Sequence, residues 1–387
     1  MKIFARILIA GLALSIFALP VDAKWRRKRQ APADAAAAEP APAPPPLPGL
    51  PPPNDTARFL AGMPISARSP LAPLTRDPAW QEHSAFFEKS FAKLNTRQLN
   101  KIHNWQDNYL PESKAPTPVA YYMFSGPDFL YVDQFFPNAS VYILCGKEAM
   151  GPPPDPLKIT NLSAAFQNLE NAMNSALTTN YFITQEMKVR LNQQNLSGTI
   201  PIFYVFLARA NKTIKNVTFI SLDSGGNERI SSPGSGGTPG VKIEYRDNHS
   251  GRSQTMYYFT TDISDGGIGS SPGFMTFCQR FGVGMSFLKS ASYLMFEGGF
   301  NRVRSFILDH SSIIVQDDSG IPIANFNRNK WNLRFFGTYN GPIELFRQHY
   351  QPGLRELFVL NNPPPLPIGF GYQWNPRKSG LIVAQRN

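Results

Sequence analysis

Apolar residues recur with a helical period over residues 80–109, where Phe86, Phe87, Phe91, Leu94, Leu99 and Ile102 stand out from a polar background. That pattern predicts a helical segment, ended by Pro111, Pro116 and Pro118. The period then changes. Residues 119–124 are a short continuous apolar run, which suits a buried strand. Ser125-Gly126-Pro127-Asp128 has the chemistry of a helix start, with Ser125 as cap, proline near the first turn and Asp128 facing the positive end of the helix. A short helix over 129–136 follows, Pro137-Asn138 stops it, and residues 140–145 form a second apolar run. Strand, helix and strand in this order imply a parallel pair joined by a right-handed crossover.

The alternation continues downstream. Helical patterns cover 164–177 and 183–191, apolar strands are expected at 200–207 and 217–222, and residues 231–240 read as a Ser/Pro/Gly loop. Segments 241–246 and 254–260 match a hairpin across residues 247–251. Ser271-Pro272 opens a helix running to 279, a strand lies within 285–295, a helix over 300–308 and a strand over 312–316. A second strand-helix-strand unit therefore sits in the C-terminal half. The fold class is α/β, with a mixed, largely parallel central sheet flanked by helices and an added β-hairpin.

The first 64 residues have a different character. Lys2 and Arg6 precede an uncharged apolar run over 7–19, thirteen residues long. A spanning helix needs about 20. Small residues at Val21 and Ala23 suit cleavage after Ala23, so residues 1–23 read as a signal peptide and the chain as exported, periplasmic or extracellular, with no transmembrane helix after processing. Lys24, Arg26, Arg27, Lys28 and Arg29 follow at once. Positive charge on that flank resists translocation, which leaves an uncleaved tail facing the cytoplasm as the competing reading, with a basic-residue processing site as a third. Residues 31–64 are a Pro/Ala-rich linker, and residues 65–387 a single α/β domain.

Charge and cysteine content narrow the partners. Of the formal +11, residues 1–23 carry +1 and residues 24–30 carry +5, so the remaining 357 residues hold only +5. The body lacks the dense basic stripe with interleaved aromatics of a nucleic-acid reader, whereas the tail suits an anionic envelope surface. No Gly-rich strand-to-helix fingerprint supports a nucleotide cofactor, and none is expected. Cys145 and Cys278 are too few for a metal site. Their apolar contexts favour two buried thiols over one disulfide.

Candidate chemistry gathers just past the expected strands: Ser125 and Asp128, Lys147 and Glu148, Asp223, Glu297, and Asp317 with Asp318. In an open α/β sheet these ends form the ligand crevice. Converging carboxylates there can bind a cation, hold sugar hydroxyls or divide into acid and base. The candidate set is Ser125, Asp128, Glu148, Asp317 and Asp318, expected in one pocket. Each also has a plain structural reading, as a cap or a turn former. Ser125 sits where a nucleophile elbow places its serine, with His310 as base and Asp309 or Asp317 as orienter, but the glycine two residues before it is missing and capping explains the serine as well.

The Phe-Ser-Gly-Pro-Asp-Phe-Leu-Tyr run, the Ile-Val-Gln-Asp-Asp-Ser-Gly-Ile-Pro segment at 314–322 and Gly-Phe-Gly-Tyr-Gln-Trp at 369–374 together resemble a family of uncharacterised exported bacterial proteins. The resemblance spans most of 75–387 and implies no activity. Two functions stay in view: a non-enzymatic exported protein, tethered by its basic Pro-rich leader, that binds a ligand or partner, and a hydrolase of a glycan or ester using strand-end carboxylates or Ser125.

Overall fold

The computed structural model describes residues 49–182, 196–231 and 236–387. Its strands are β1 (Thr117–Tyr122), β2 (Ala139–Gly146), β3 (Lys212–Leu222), β4 (Glu228–Ile230), β5 (Thr238–Asp247), β6 (Ser253–Thr260), β7 (Gly284–Leu288), β8 (Ser311–Gln316), β9 (Trp331–Gly337) and β10 (Gly380–Arg386). They form one sheet in the order β4-β3-β5-β6-β2-β1-β7-β8-β10-β9. The five central strands, β6 to β8 in that order, are parallel. Both flanks are antiparallel, and β5 with β6 makes the expected hairpin. The fold is thus mixed α/β with a parallel centre, as the alternation of apolar patterns predicts.

Helices cover both faces. On one lie α1 (Pro53–Leu60), α2 (Pro78–Leu94), α3 (Asn100–Tyr109), α4 (Phe129–Phe135), α5 (Leu162–Thr179) and α6 (Ile200–Arg209). Their Phe59, Phe87, Phe129, Phe166 and Phe203 share a core with Ala120, Tyr122, Leu144 and Phe287 of the sheet. On the other lie α7 (Asp265–Ser270), α8 (Gly273–Gln279), α9 (Asn301–His310) and α10 (Pro352–Asn361), whose Phe277, Phe306 and Phe358 pack against Val119, Tyr121, Ile143 and Ile314. Strand residues alternate between the two cores because successive side chains point to opposite faces. Burial on both faces is why these strands read as unbroken apolar runs.

The crossovers fix where the strand order reverses. From β1 the chain passes through α4 to β2 on one side, and from β7 through α9 to β8 on the other. The strand order therefore reverses between β1 and β7. Loops leaving their C-terminal ends head for opposite faces of the sheet, the place at which open α/β sheets commonly bind ligands.

Several expectations need correction. Residues 200–207 are helical, in α6, not a strand. Every residue from Ile200 to Ala208 is buried, and a helix enclosed on all sides shows no amphipathic period. Pro201 in its first turn is the signal that separates it from a strand. Residues 53–64 are not linker: α1 buries Ala57, Phe59 and Leu60, and Trp80 donates from its indole to the Phe59 carbonyl at 3.0 Å. Ser125 does not cap α4, where Asp128 holds the cap position without a side-chain cap bond. The helix expected over 183–191 lies outside the described residues, as do 232–235 of the 231–240 loop, and Thr238 already belongs to β5. Cys145 and Cys278 are separate buried thiols.

Candidate functional site at the strand switch point

After β1, the backbone amides of Ser125 and Gly126 donate to the Cys145 carbonyl at 3.2 and 3.3 Å, which folds the chain over the end of β2. Asp128 follows at the start of α4, 3% exposed. Opposite it, Lys289 leaves β7 and is 2% exposed. Its Nζ lies 2.6 Å from Asp128 Oδ2 and 3.6 Å from the centre of the Tyr131 ring, and it donates to the Asn180 carbonyl at the end of α5. The Tyr122 hydroxyl donates to Asp128 Oδ2 at 3.1 Å. Burial pulls the Lys289 ammonium below its usual range, opposed by the charges of Asp128 and Asp317.

The loop beyond Lys289 is held in a costly conformation. Ser290, Ser292 and Tyr293 have φ of 56°, 55° and 56°, left-handed values that cost non-glycine residues about 1–2 kcal/mol each. The residues after β8 hold it there. Asp317 Oδ2 accepts the Ser290 amide at 3.1 Å, Ser319 Oγ accepts the Ala291 amide at 2.7 Å, and Asp318 Oδ2 accepts the Tyr293 hydroxyl at 2.5 Å. The other Asp317 oxygen accepts from Ser319 Oγ at 2.6 Å and its amide at 3.1 Å. Burial raises the Asp317 carboxyl against these donors. Asp318 is pushed up to about 7 by burial and by the charge of Asp317, so it exchanges a proton near neutrality.

Two more segments close the cluster. Gly371 has φ of 65°, and a Cβ there would sit 1.7 Å from Asp317 Oδ2, so only glycine lets this backbone approach the carboxylate. The Tyr372 hydroxyl then donates to the Ser290 carbonyl at 3.0 Å and lies 2.8 Å from Ser292 Oγ. A π-helical turn, Asn95–Leu99, joins α2 to α3; its Gln98 donates to the Gly369 carbonyl and its Arg97 to the Leu177 carbonyl at 2.7 Å. Such turns are frequent at functional sites. The Tyr372 ring packs 5.3 Å from Tyr181 and 5.1 Å from Phe346, and Tyr293 stacks on His349 at 5.0 Å. A cavity of about 10 Å³ lies beside Asp318, Tyr339 and Gln373, room for one water.

Four polar atoms here are buried without a hydrogen-bond partner: Asp128 Oδ1, Tyr131 Oη, Asn180 Oδ1 and Ser290 Oγ. Buried polar groups normally find partners, and each one left alone costs about 1–3 kcal/mol. All four belong to residues that contact Lys289 or adjoin it in the chain.

Of the residues picked from sequence, Asp128, Asp317 and Asp318 gather around Lys289 and its loop. Ser125 is turned away, its hydroxyl donating to the carbonyls of Gly126 at 2.8 Å and Cys145 at 3.1 Å. Glu148 faces β6: its carbonyl accepts from Tyr258 at 2.9 Å and Thr260 at 2.8 Å, and its carboxylate lies against Tyr258. Asp223 shapes an exposed turn and is lowered to about 2 by donors from Asn227. Glu297 is exposed, and Lys147 pairs with Asp262 at 3.0 Å on the surface. His310 ends α9 before β8 begins, so it stands at the opposite end of the parallel strands from Asp317 and Ser125 and cannot serve Ser125 as base. Lys289, Tyr131, Asn180, Ser290, Tyr293 and Tyr372 escaped sequence reasoning. A lysine placed directly after the apolar run Gly-Met-Ser-Phe-Leu was the signal available. Among the described residues no group of three or more His, Cys, Asp or Glu is placed to hold a metal ion.

Comparison with family models, curated proteins and solved structures found no match to this chain.

Proposed function

We propose that this is an exported binding protein which takes a small polar ligand at the switch point between β1 and β7, and that it is not a hydrolase. The observation that carries the reading is the set of four unpartnered buried polar atoms around Lys289, where the strand order reverses between β1 and β7. A ligand supplying their missing hydrogen bonds would recover what their burial costs. Hydrolysis by Ser125 has no support, because its hydroxyl is committed to the backbone carbonyls of Gly126 and Cys145. Hydrolysis by a carboxylate pair loses Glu148 to β6 and Asp128 to Lys289. Only Asp318, with its proton exchanging near neutrality, remains suited to acid catalysis.

Export rests on the leader: the charged start, the apolar run over 7–19 and the small residues before Lys24. The basic residues after it would hold the protein at an anionic envelope surface. Two measurements test the reading. Thermal unfolding of the full chain with panels of sugars, amino acids and carboxylates should give a saturable rise in Tm for one class, and p-nitrophenyl acetate and p-nitrophenyl glycosides should not turn over. Turnover that is lost in Asp318→Asn, or no Tm response to any class, would overturn it.

A further inference from the structure

Asp128, Tyr131 and Asn180 are at most 3% exposed, so a ligand reaches their unpartnered atoms only if a covering segment moves. Residues 289–294 are built to be that segment. The chain is anchored on either side of them, since Leu288 and Met295 are fully buried members of one core. Between these anchors Ala291 and Tyr293 are buried, yet neither belongs to the core on either face of the sheet. Their release would leave both cores intact. The left-handed backbone of Ser290, Ser292 and Tyr293 is strained in place, so movement relieves strain.

The hold on this loop runs through two carboxylates. Asp317 accepts the Ser290 amide directly and holds the Ala291 amide through Ser319, while Asp318 accepts the Tyr293 hydroxyl. Tyr372 adds a bond to the Ser290 carbonyl. Because Asp317 and Asp318 adjoin in the chain and are both buried, two charges there repel in surroundings that screen poorly. One shared proton removes the repulsion. Asp318 lines the one-water cavity together with the exposed Lys378, which gives that proton a route from solvent. Of the other groups facing the pair, Lys289 is paired with Asp128, and Tyr122, Tyr293, Tyr339 and Tyr372 are raised by burial and stay neutral. His349, stacked on Tyr293 at 5.0 Å, is a titratable neighbour of the loop and requires its own control.

We propose that residues 289–294 form a proton-controlled latch over the switch-point site, closed while Asp317 and Asp318 share a proton and open when both are charged. The latch deepens the binding reading, on which its purpose rests, by naming what admits the ligand. Its direction follows from linkage. In the closed state Asp318 keeps its proton up to about pH 7, whereas a hydrated Asp318 in the open state loses it near the ordinary value of about 3.9. Acid therefore favours the closed state, and rising pH across that window shifts the balance towards the open one.

Hydrogen exchange of the full chain at pH 5 and pH 8, corrected for the intrinsic rate, tests the latch. Protection over 289–294 should fall on the order of fiftyfold between the two, as linkage to one such proton requires, while residues 119–122 of β1 stay protected. Asp318→Asn should abolish the fall, and His349→Gln should keep it. Tyr293→Phe removes the donor to Asp318 and keeps the ring, so it should lower protection at pH 5 about tenfold, the loss of one hydrogen bond. Equal protection at both pH values, a fall that survives Asp318→Asn or one that His349→Gln removes would each overturn the latch. So would exchange of 119–122 in step with the loop, which marks global unfolding. Exchange is read without ligand, so failure of the latch is distinct from failure of the binding reading, which the Tm panels decide.

Discussion

Asp318 is the residue whose titration should be visible in the stability of the whole protein. Its carboxyl is raised to about 7 in the folded state, against a usual value near 3.9 in the unfolded chain. Below about pH 4 both states hold the proton and the group makes no difference. As pH rises from about 4 to about 7 the unfolded state ionises while the folded state keeps its proton, so stability falls across that window, and above it both states are ionised. A shift of this size corresponds to a loss on the order of 4 kcal/mol. Asp318→Asn keeps an acceptor for the Tyr293 hydroxyl and cannot ionise. Urea unfolding across this range should therefore show a flatter pH profile for the variant, with its gain over the parent largest near neutrality. Parallel profiles would mean that Asp318 ionises normally in the fold.

At the scale of elements, α4 is pinned at both ends by buried charge. Asp128 at its start meets Lys289, and Asp133 near its end lies 3.1 Å from the Nζ of Lys212, which also bonds Asp247. Burial pushes the Lys212 ammonium down, but the two carboxylates outweigh it and its pKa ends raised; Asp133 is raised by burial despite Lys212. Lys212→Met would strand two carboxylates, and breaking a buried pair in this way costs about 3–5 kcal/mol. The denaturation midpoint should drop accordingly, and the deficit should shrink in acid as Asp133 takes up a proton. Faster hydrogen exchange over 129–135 would show that the loss reaches the helix that carries Asp128 and Tyr131. The same helix shows what the sequence could and could not disclose. Its bounds were legible because Pro137-Asn138 stops it and Phe129 opens an apolar run, and the parallel β1–β2 pair followed from that. Helix α6 was not legible by period, because burial on every side erases the pattern, and β9 and β10 were missed because they lie among loops without a second strand-helix unit to mark them. At the site, Asp128, Asp317 and Asp318 could be placed because strand ends are predictable. Lys289 also follows a strand, but its partner was not legible, since only the reversal of strand order puts it opposite Asp128.

For the whole molecule, the distribution of charge matters more than its total. The +5 of residues 24–30 is packed into seven positions, while the same +5 is spread over the 357 residues that follow. At physiological salt, fields fade within about 8 Å, so scattered charges act singly and clustered ones act together. Each basic residue near an anionic membrane contributes about 1 kcal/mol, so the proposed attachment to an anionic surface would come from the cluster and not from the body. A chain started at Lys24, without the apolar run, isolates this effect. It should sediment with vesicles containing phosphatidylglycerol at low salt, release as salt is raised, and stay in solution with vesicles of phosphatidylcholine alone. Deleting residues 24–30 should abolish sedimentation at every salt concentration while leaving the thermal unfolding of the folded part unchanged. If the deleted chain sediments as before, the contact lies on the body, and the tail has no part in placing the protein.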